Sequence, residues 1–161
     1  MQTHLVNSAP LTAGELAAWR GMLRAHSALV RDLDAELREA HDLSLLEYEV
    51  LLVLSEAPEG RMRMTELAGT VLLSQSGLTR LVDRLVHEGS VERRRCAEDR
   101  RGLNAELTAA GRARLDVARP THRRGIRARF LDRFDETELA TMASYWERVV
   151  PGATAAGDGA K

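Results

Sequence analysis

The chain has 161 residues, 44% hydrophobic and 29% charged, with one cysteine and a formal net charge of -1. That is enough for one globular unit that buries a core without disulfide or metal staples. Aromatics at 4% are too few for the stacking platforms of a single-strand nucleic-acid binder, and no stretch approaches the roughly 20 apolar residues of a membrane helix. Cys96, the single cysteine, excludes an internal disulfide and suits a reducing cytoplasm, the expected location. The opening segment lacks a basic region followed by an apolar run, so no signal peptide is expected. Net charge by itself does not suggest a nucleic-acid partner, but its distribution does. Residues 61–101 carry nine Arg against six Asp/Glu, while the remainder carries 14 Lys/Arg against 18 Asp/Glu. Lys161 is the single lysine, and arginine's planar fork suits phosphates and guanine edges. Genomic base composition accounts equally well for the arginine bias, though not for its local clustering.

Residues 1–11 read as a loose arm. Thr12-Ala-Gly-Glu15 is a capping box. Leu16, Trp19, Leu23, His26, Val30, Leu33 and Leu37 then recur at steps of three and four, predicting one long helix over 12–40. Such length suggests packing on a partner as well as on its own core. Ser44-Leu-Leu-Glu47 is a second capping box, opening an apolar helix that Ala57-Pro-Glu-Gly60 ends. Arg61–Met64 alternates briefly, and Thr65 is expected to cap a helix to about Val71. After a turn at 72–74, Ser74 caps a helix from Gln75 to about Glu88, stopped by Gly89. Residues 91–96 and 103–107 flank a charged, glycine-containing tip, which predicts a hairpin. Thr108 opens a helix that Pro120 should kink or restart, with Ile126, Phe130 and Leu131 continuing its apolar side. Asp135-Glu-Thr-Glu138 caps a last helix with Leu139, Met142, Ala143, Trp146, Val149 and Val150 on one face. Residues 151–161 read as a flexible tail.

Helix, short strand, helix, turn, helix, hairpin is the order of a winged helix-turn-helix, whose second paired helix enters the major groove while the hairpin reaches the minor groove or backbone. In the helix 75–88, Leu78, Leu81, Val82 and Leu85 share one face and should be buried. Gln75, Ser76, Thr79 and Arg80 occupy the N-terminal half of the outer face. With Ser74 they can reach base edges and phosphates, helped by the free N–H groups of the helix start. Arg80 suits guanine and Gln75 adenine, while Arg84, one turn on, suits the backbone. At the hairpin tip Arg101 is the expected minor-groove residue, Asp99 its support and Arg100 a phosphate contact. An exposed amphipathic helix and a solvated charged turn would explain either set alone.

The runs Leu78-Thr-Arg-Leu-Val-Asp-Arg-Leu85, Gly89-Ser-Val-Glu-Arg-Arg94, Asp99-Arg-Arg101 and Leu107-Thr-Ala-Ala-Gly111, in this order and spacing, resemble the signature of the MarR family of bacterial regulators over about residues 12–150. The resemblance implies a mainly α fold with a small β-wing: a winged helix-turn-helix lobe over 44–107 and dimerisation helices over 12–40 and 108–150. It further implies a homodimer on a palindromic operator in double-stranded DNA, usually repressing, with relief by a small-molecule effector or by oxidation. Ser90 departs from an apolar family position and is expected to loosen the strand start. Arg95 and Cys96 depart from a proline-containing approach to the wing.

Weaker signals stay open. Arg93, Arg94 and Arg95 could lower the Cys96 pKa, but the family's redox sensors carry their cysteine in the first helix, where this chain has none. Trp19, Met22, His26 and Tyr48 are candidate effector-pocket residues and equally candidate core. Trp19, Phe130, Phe134, Tyr145 and Trp146 lie outside the DNA-reading segment, as dimer contacts or as core. The five histidines make no compact metal pattern, and neither a cofactor nor a metal is expected. No catalytic motif is present, so an enzyme is not expected. A winged-helix protein-interaction module is the remaining alternative, although the 75–88 outer face lacks aromatic anchors.

Overall fold

The computed structural model describes residues 9–71, 73–95 and 102–154. Six α-helices are interrupted by a three-stranded sheet: α1 (Ala13–His41), α2 (Leu45–Glu56), β1 (Arg61–Arg63), α3 (Met64–Thr70), α4 (Gln75–His87), β2 (Val91–Arg95), β3 (Leu103–Leu107), α5 (Ala109–Arg129) and α6 (Glu136–Val149). The mainly α architecture with a small β-wing is as expected from the sequence.

Local hydrogen bonding explains most of the helix boundaries. Thr12, Ser44 and Asp135 each close a capping box with a glutamate three residues on, fixing the starts of α1, α2 and α6. Ser74 and Thr108 cap α4 and α5 by accepting from the N–H of Gly77 and Gly111. Gly89 stops the α4 segment in the left-handed region at φ 74°. The start of α3 differs from expectation. Arg63 is its N-cap without a side-chain bond, and Thr65 lies inside the first turn. Extended pairing of Arg63 with Asn104 in the sheet carries the chain straight into the helix.

Pro120 does not restart α5, which runs unbroken from Ala109 to Arg129. The lost bond falls on an exposed side of the helix, where water can satisfy the Asp116 carbonyl. Phe130 and Leu131, expected to continue the helix, instead leave it for a short 3-10 turn over Leu131–Arg133. The first residues of the expected C-terminal tail fold back on α6. The Glu147 carboxylate accepts from the backbone N–H of Gly152 at 2.6 Å and from Thr154 N–H at 3.2 Å.

β3 is the central strand, antiparallel to both neighbours in the order β1-β3-β2. The core gathers Leu37 from α1, Leu43 before α2, Tyr48, Val50, Leu51 and Leu54 from α2, and Leu67 from α3. Leu78, Val82 and Leu85 of α4, Val91 and Ala105 of the sheet, and Leu115 and Ala118 of α5 join it, with Leu45, Ala68 and Val71. Burial of each large aliphatic side chain contributes about 1.5–3 kcal/mol, so α4 is held chiefly by its inner face.

The turn after α4 is gripped by one strip of α5. Thr108 donates its hydroxyl to Gly89 O at 2.7 Å and its N–H to Ser90 O at 3.2 Å. Gly111 passes so close that a Cβ there would lie 2.0 Å from Ser90 O. Arg114 reaches the Glu88 carboxylate, and its second amino group donates to Asp42 O, at the end of α1, at 2.6 Å. Ser90 is buried, and its backbone N–H donates to Leu85 O at 2.8 Å. Burial raises the Glu88 carboxyl, but bonding and charge from Arg114 and Arg84 outweigh it, leaving it below the usual carboxylate range.

Gly111→Ala is expected to destabilise the fold by about 1–3 kcal/mol through overpacking, read as a lower thermal midpoint; an unchanged midpoint would refute the close approach. Because the folded Glu88 carboxyl is held below its unfolded value, its contribution is full above the ordinary carboxylate range and disappears as pH falls through the lowered value. The denaturant midpoints of wild type and Glu88→Gln should therefore differ most near neutral pH and converge in acid.

Candidate nucleic-acid interface

α4 divides cleanly into two faces. Leu78, Val82 and Leu85 are buried, while Gln75, Ser76, Thr79, Arg80, Asp83 and His87 are exposed. The N-terminal half therefore presents polar groups beside the N–H groups of the first turn. Ser74 Oγ accepts from Gly77 N–H at 3.1 Å and lies 3.3 Å from Ser76 Oγ. Thr79 donates its hydroxyl to Gln75 O at 2.8 Å, leaving its oxygen free to accept and its methyl exposed. Arg80 has no ion pair or hydrogen bond among the described residues and projects into solvent.

Arg84, expected to reach a phosphate, is half-exposed and is also paired within the fold through its Nε. Its Nε lies 3.0 Å from Glu47 Oε1 and 3.3 Å from Glu88 Oε1. Glu47 is only 2% exposed and also caps α2, accepting from Ser44 N–H at 2.7 Å and from Ser44 Oγ at 2.8 Å. A carboxylate that deeply placed is costly unless it is paired and hydrogen-bonded. Arg84 supplies the cation, and so ties α4 to the start of α2.

Arg93, on β2, read from the sequence only as a basic neighbour of Cys96, has a structural role on α4. Its guanidinium pairs with Asp83 and donates to Thr79 O at 3.1 Å. The hairpin is thus bonded to the middle of α4, ten and fourteen residues back in the chain. Between the start of α3, α4 and the hairpin lies a cleft of about 380 Å³, lined by Arg63, Met64, Thr65, Thr79, Arg93 and Leu103. Asp99, Arg100, Arg101 and Cys96 lie outside the described residues. The strands leading to them carry exposed Arg94 and Arg95.

The four candidate pocket residues are not brought together within the chain. Tyr48 is buried and packs against His122 of α5, with ring centroids 4.3 Å apart and the rings tilted by 40°. Trp19 and His26 are exposed on the first half of α1, with Met22 half-buried between them. Asp34 accepts from Leu45 N–H at 2.9 Å, which fixes the start of α2 beside residue 34. At 1.5 Å per residue, Trp19 is roughly 20 Å further along α1. Among the described residues no group of three His, Cys, Asp or Glu is gathered as a metal site would require. No described helix is long and apolar enough to cross a membrane.

The outer helices leave apolar surface uncovered. Leu11 just before α1, Trp19, Leu23 and Val30 along it, and Tyr145, Trp146, Val149 and Val150 at the end of α6, are exposed, Trp19 by 53% and Val149 by 71%. No residue of α6 is buried.

Residues 41–102 match the sequence model of the MarR family. The chain is 38% identical over 80 residues to the HTH-type transcriptional repressor YetL of Bacillus subtilis (strain 168), a match covering 50% of this chain and 48% of YetL. It therefore spans about half the length of that curated relative. Among solved structures it is similar to Sco3205, a MarR family transcriptional regulator from Streptomyces coelicolor crystallised in complex with DNA. The TM-score is 0.85 at 33% identity, covering 92% of this chain and 94% of that one. AbsC, a MarR family regulator from the same organism, gives a TM-score of 0.83 at 32% identity, covering 88% of this chain and 95% of the other. Local motif, helix-and-wing geometry and near full-length structural likeness agree: the chain belongs to the MarR family.

Proposed function

We propose that this protein is a sequence-specific transcriptional regulator that binds a palindromic operator in double-stranded DNA as a homodimer, acting as a ligand-responsive repressor in the bacterial cytoplasm. The observation that carries this reading is the outer face of α4: exposed Gln75, Ser76, Thr79 and Arg80, the last unpaired among the described residues, on a frame like that of Sco3205, solved with DNA. In this reading α4 enters the major groove. Arg80 addresses guanine O6 and N7, Gln75 addresses adenine, and Ser74 and Ser76 lie near phosphate. Arg100 and Arg101, supported by Asp99, take the backbone and the minor groove. Arg84 acts behind the reading face, holding α4 through Glu47 and Glu88.

The homodimer reading rests on the uncovered apolar faces of α1 and α6. A helix such as α6, with no buried residue, has little reason to remain folded against water alone, since packing supplies most helical stability. Two copies also match two half-sites about one helical turn apart. Trp19, Met22 and His26 fall on this strip, so an effector held by them would lie at the subunit interface, apart from Tyr48 of the same subunit.

Two experiments test these readings. In gel shifts on the gene's own upstream region, Arg80→Ala should weaken binding by about 1–3 kcal/mol, and wild-type affinity should fall steeply with salt as counterions are released. Unchanged binding by the Arg80→Ala, Arg101→Ala double variant would refute the assigned reading residues. In sedimentation velocity, wild type should run as a dimer and Trp146→Asp combined with Val149→Asp should shift it toward monomer. A monomeric wild type would refute the interface.

A further inference from the structure

The C-terminal end of α4 is the meeting point of four helices, joined by a chain of alternating charges. Arg114, on the second turn of α5, pairs with the Glu88 carboxylate, and its Nη1 lies 3.5 Å from Ser90 Oγ. Its Nη2 donates to Asp42 O at 2.6 Å. Asp42 is the left-handed C-cap of α1, at φ 49°. Glu88 in turn accepts from Arg84 Nε at 3.3 Å, and Arg84 pairs at 3.0 Å with buried Glu47 at the start of α2. Arg114 and Glu88 are each about three-quarters shielded, with side-chain exposures of 23% and 27%. This is more than a surface pair, because one guanidinium fork links two helix ends at once.

The position of this junction matters more than its strength. The polar reading residues Gln75, Ser76, Thr79 and Arg80 lie at the other end of α4. A helix of that length spans about 20 Å, so a tilt of about 10° at its anchored end displaces the reading end by about 3 Å. That is close to the rise of one base pair, about 3.4 Å. α1 and α5, the two helices that Arg114 connects to α4, lead into the strip assigned above to the dimer interface.

We infer that Arg114 and Glu88 are positioning residues that set the angle of α4 against the dimer helices, and through it the half-site spacing the dimer accepts. The inference rests on the proposed DNA-binding dimer. The pair touches no base. It fixes how far apart the two reading ends stand, so losing it should relax spacing selectivity more than it weakens binding to the best site. Thr108 and the tight approach of Gly111 remain to hold the turn 88–90 in place when the charges are removed.

The test begins with wild-type protein and a randomised pool of DNA duplexes. The duplex it enriches is then remade with one base pair inserted or removed at the centre of its palindrome. Wild type is expected to lose about tenfold or more in affinity at either altered spacing, comparable to a mismatched base pair. Arg114→Ala and the near-isosteric Glu88→Gln are expected to bring that ratio to within about threefold while still binding the original duplex. Glu88→Gln carries the test if Arg114→Ala lacks a cooperative melt. Variants that weaken all three duplexes by one common factor would show a merely structural role and overturn the inference, as would undiminished spacing discrimination. A wild-type protein that enriches no duplex would instead remove the regulatory reading, and this inference with it.

Discussion

The ionic and steric grip on the end of α4 is the constraint on which the rest of the molecule depends. A thirteen-residue helix has little stability by itself. Here three buried side chains hold its inner face, and charges from α2 and α5 hold its last turn. Glu47 shows why these contacts act together. Its carboxylate is buried and would be costly alone, yet it caps α2 and meets Arg84. Removing either partner would strand a charge, so the start of α2 and the body of α4 behave as one piece. Arg114 extends that piece to α1 and α5.

Once the inner face and the far end of α4 are committed, the near end is free to present polar groups. Arginines of one segment are thereby divided among different tasks. Arg80 stands unpaired among the described residues, Arg84 braces the helix, and Arg93 ties β2 to the same helix through Asp83 and the Thr79 carbonyl. A count of positive charge over 61–101 cannot separate these roles, because structural ion pairs consume part of it. The net charge of the whole chain is less informative still, since the basic segment is offset by acidic residues elsewhere.

Much of the fold was legible because helix boundaries are local events. Capping boxes at Thr12, Ser44 and Asp135 span three residues, and the stop at Gly89 needs one backbone conformation. The misreadings came where distant partners decide. The start of α3 follows from pairing of β1 with β3, more than forty residues on, and not from the hydroxyl of Thr65. Pro120 is harmless because its side of α5 faces water. The backbone of Ser90 accepts from Thr108 N–H at the start of α5, a contact that local spacing could not announce. The four candidate pocket residues lie on different parts of the chain, Tyr48 buried against α5 and Trp19 and His26 exposed on α1, since periodicity reports which face a residue occupies and not what that face meets.

The sequence by itself determined the order of helices and wing, the inner and outer faces of α4, and the family, since each depends on spacing within one segment or on the order of segments. Only the tertiary structure decided which charges are free to meet a ligand and which are already spent. That distinction depends on partners brought close by folding, as Glu88 meets Arg114 from twenty-six residues away and Asp42 meets it from seventy-two. An arginine's chemistry is the same in every context. Its role is set by whether a carboxylate has reached it first.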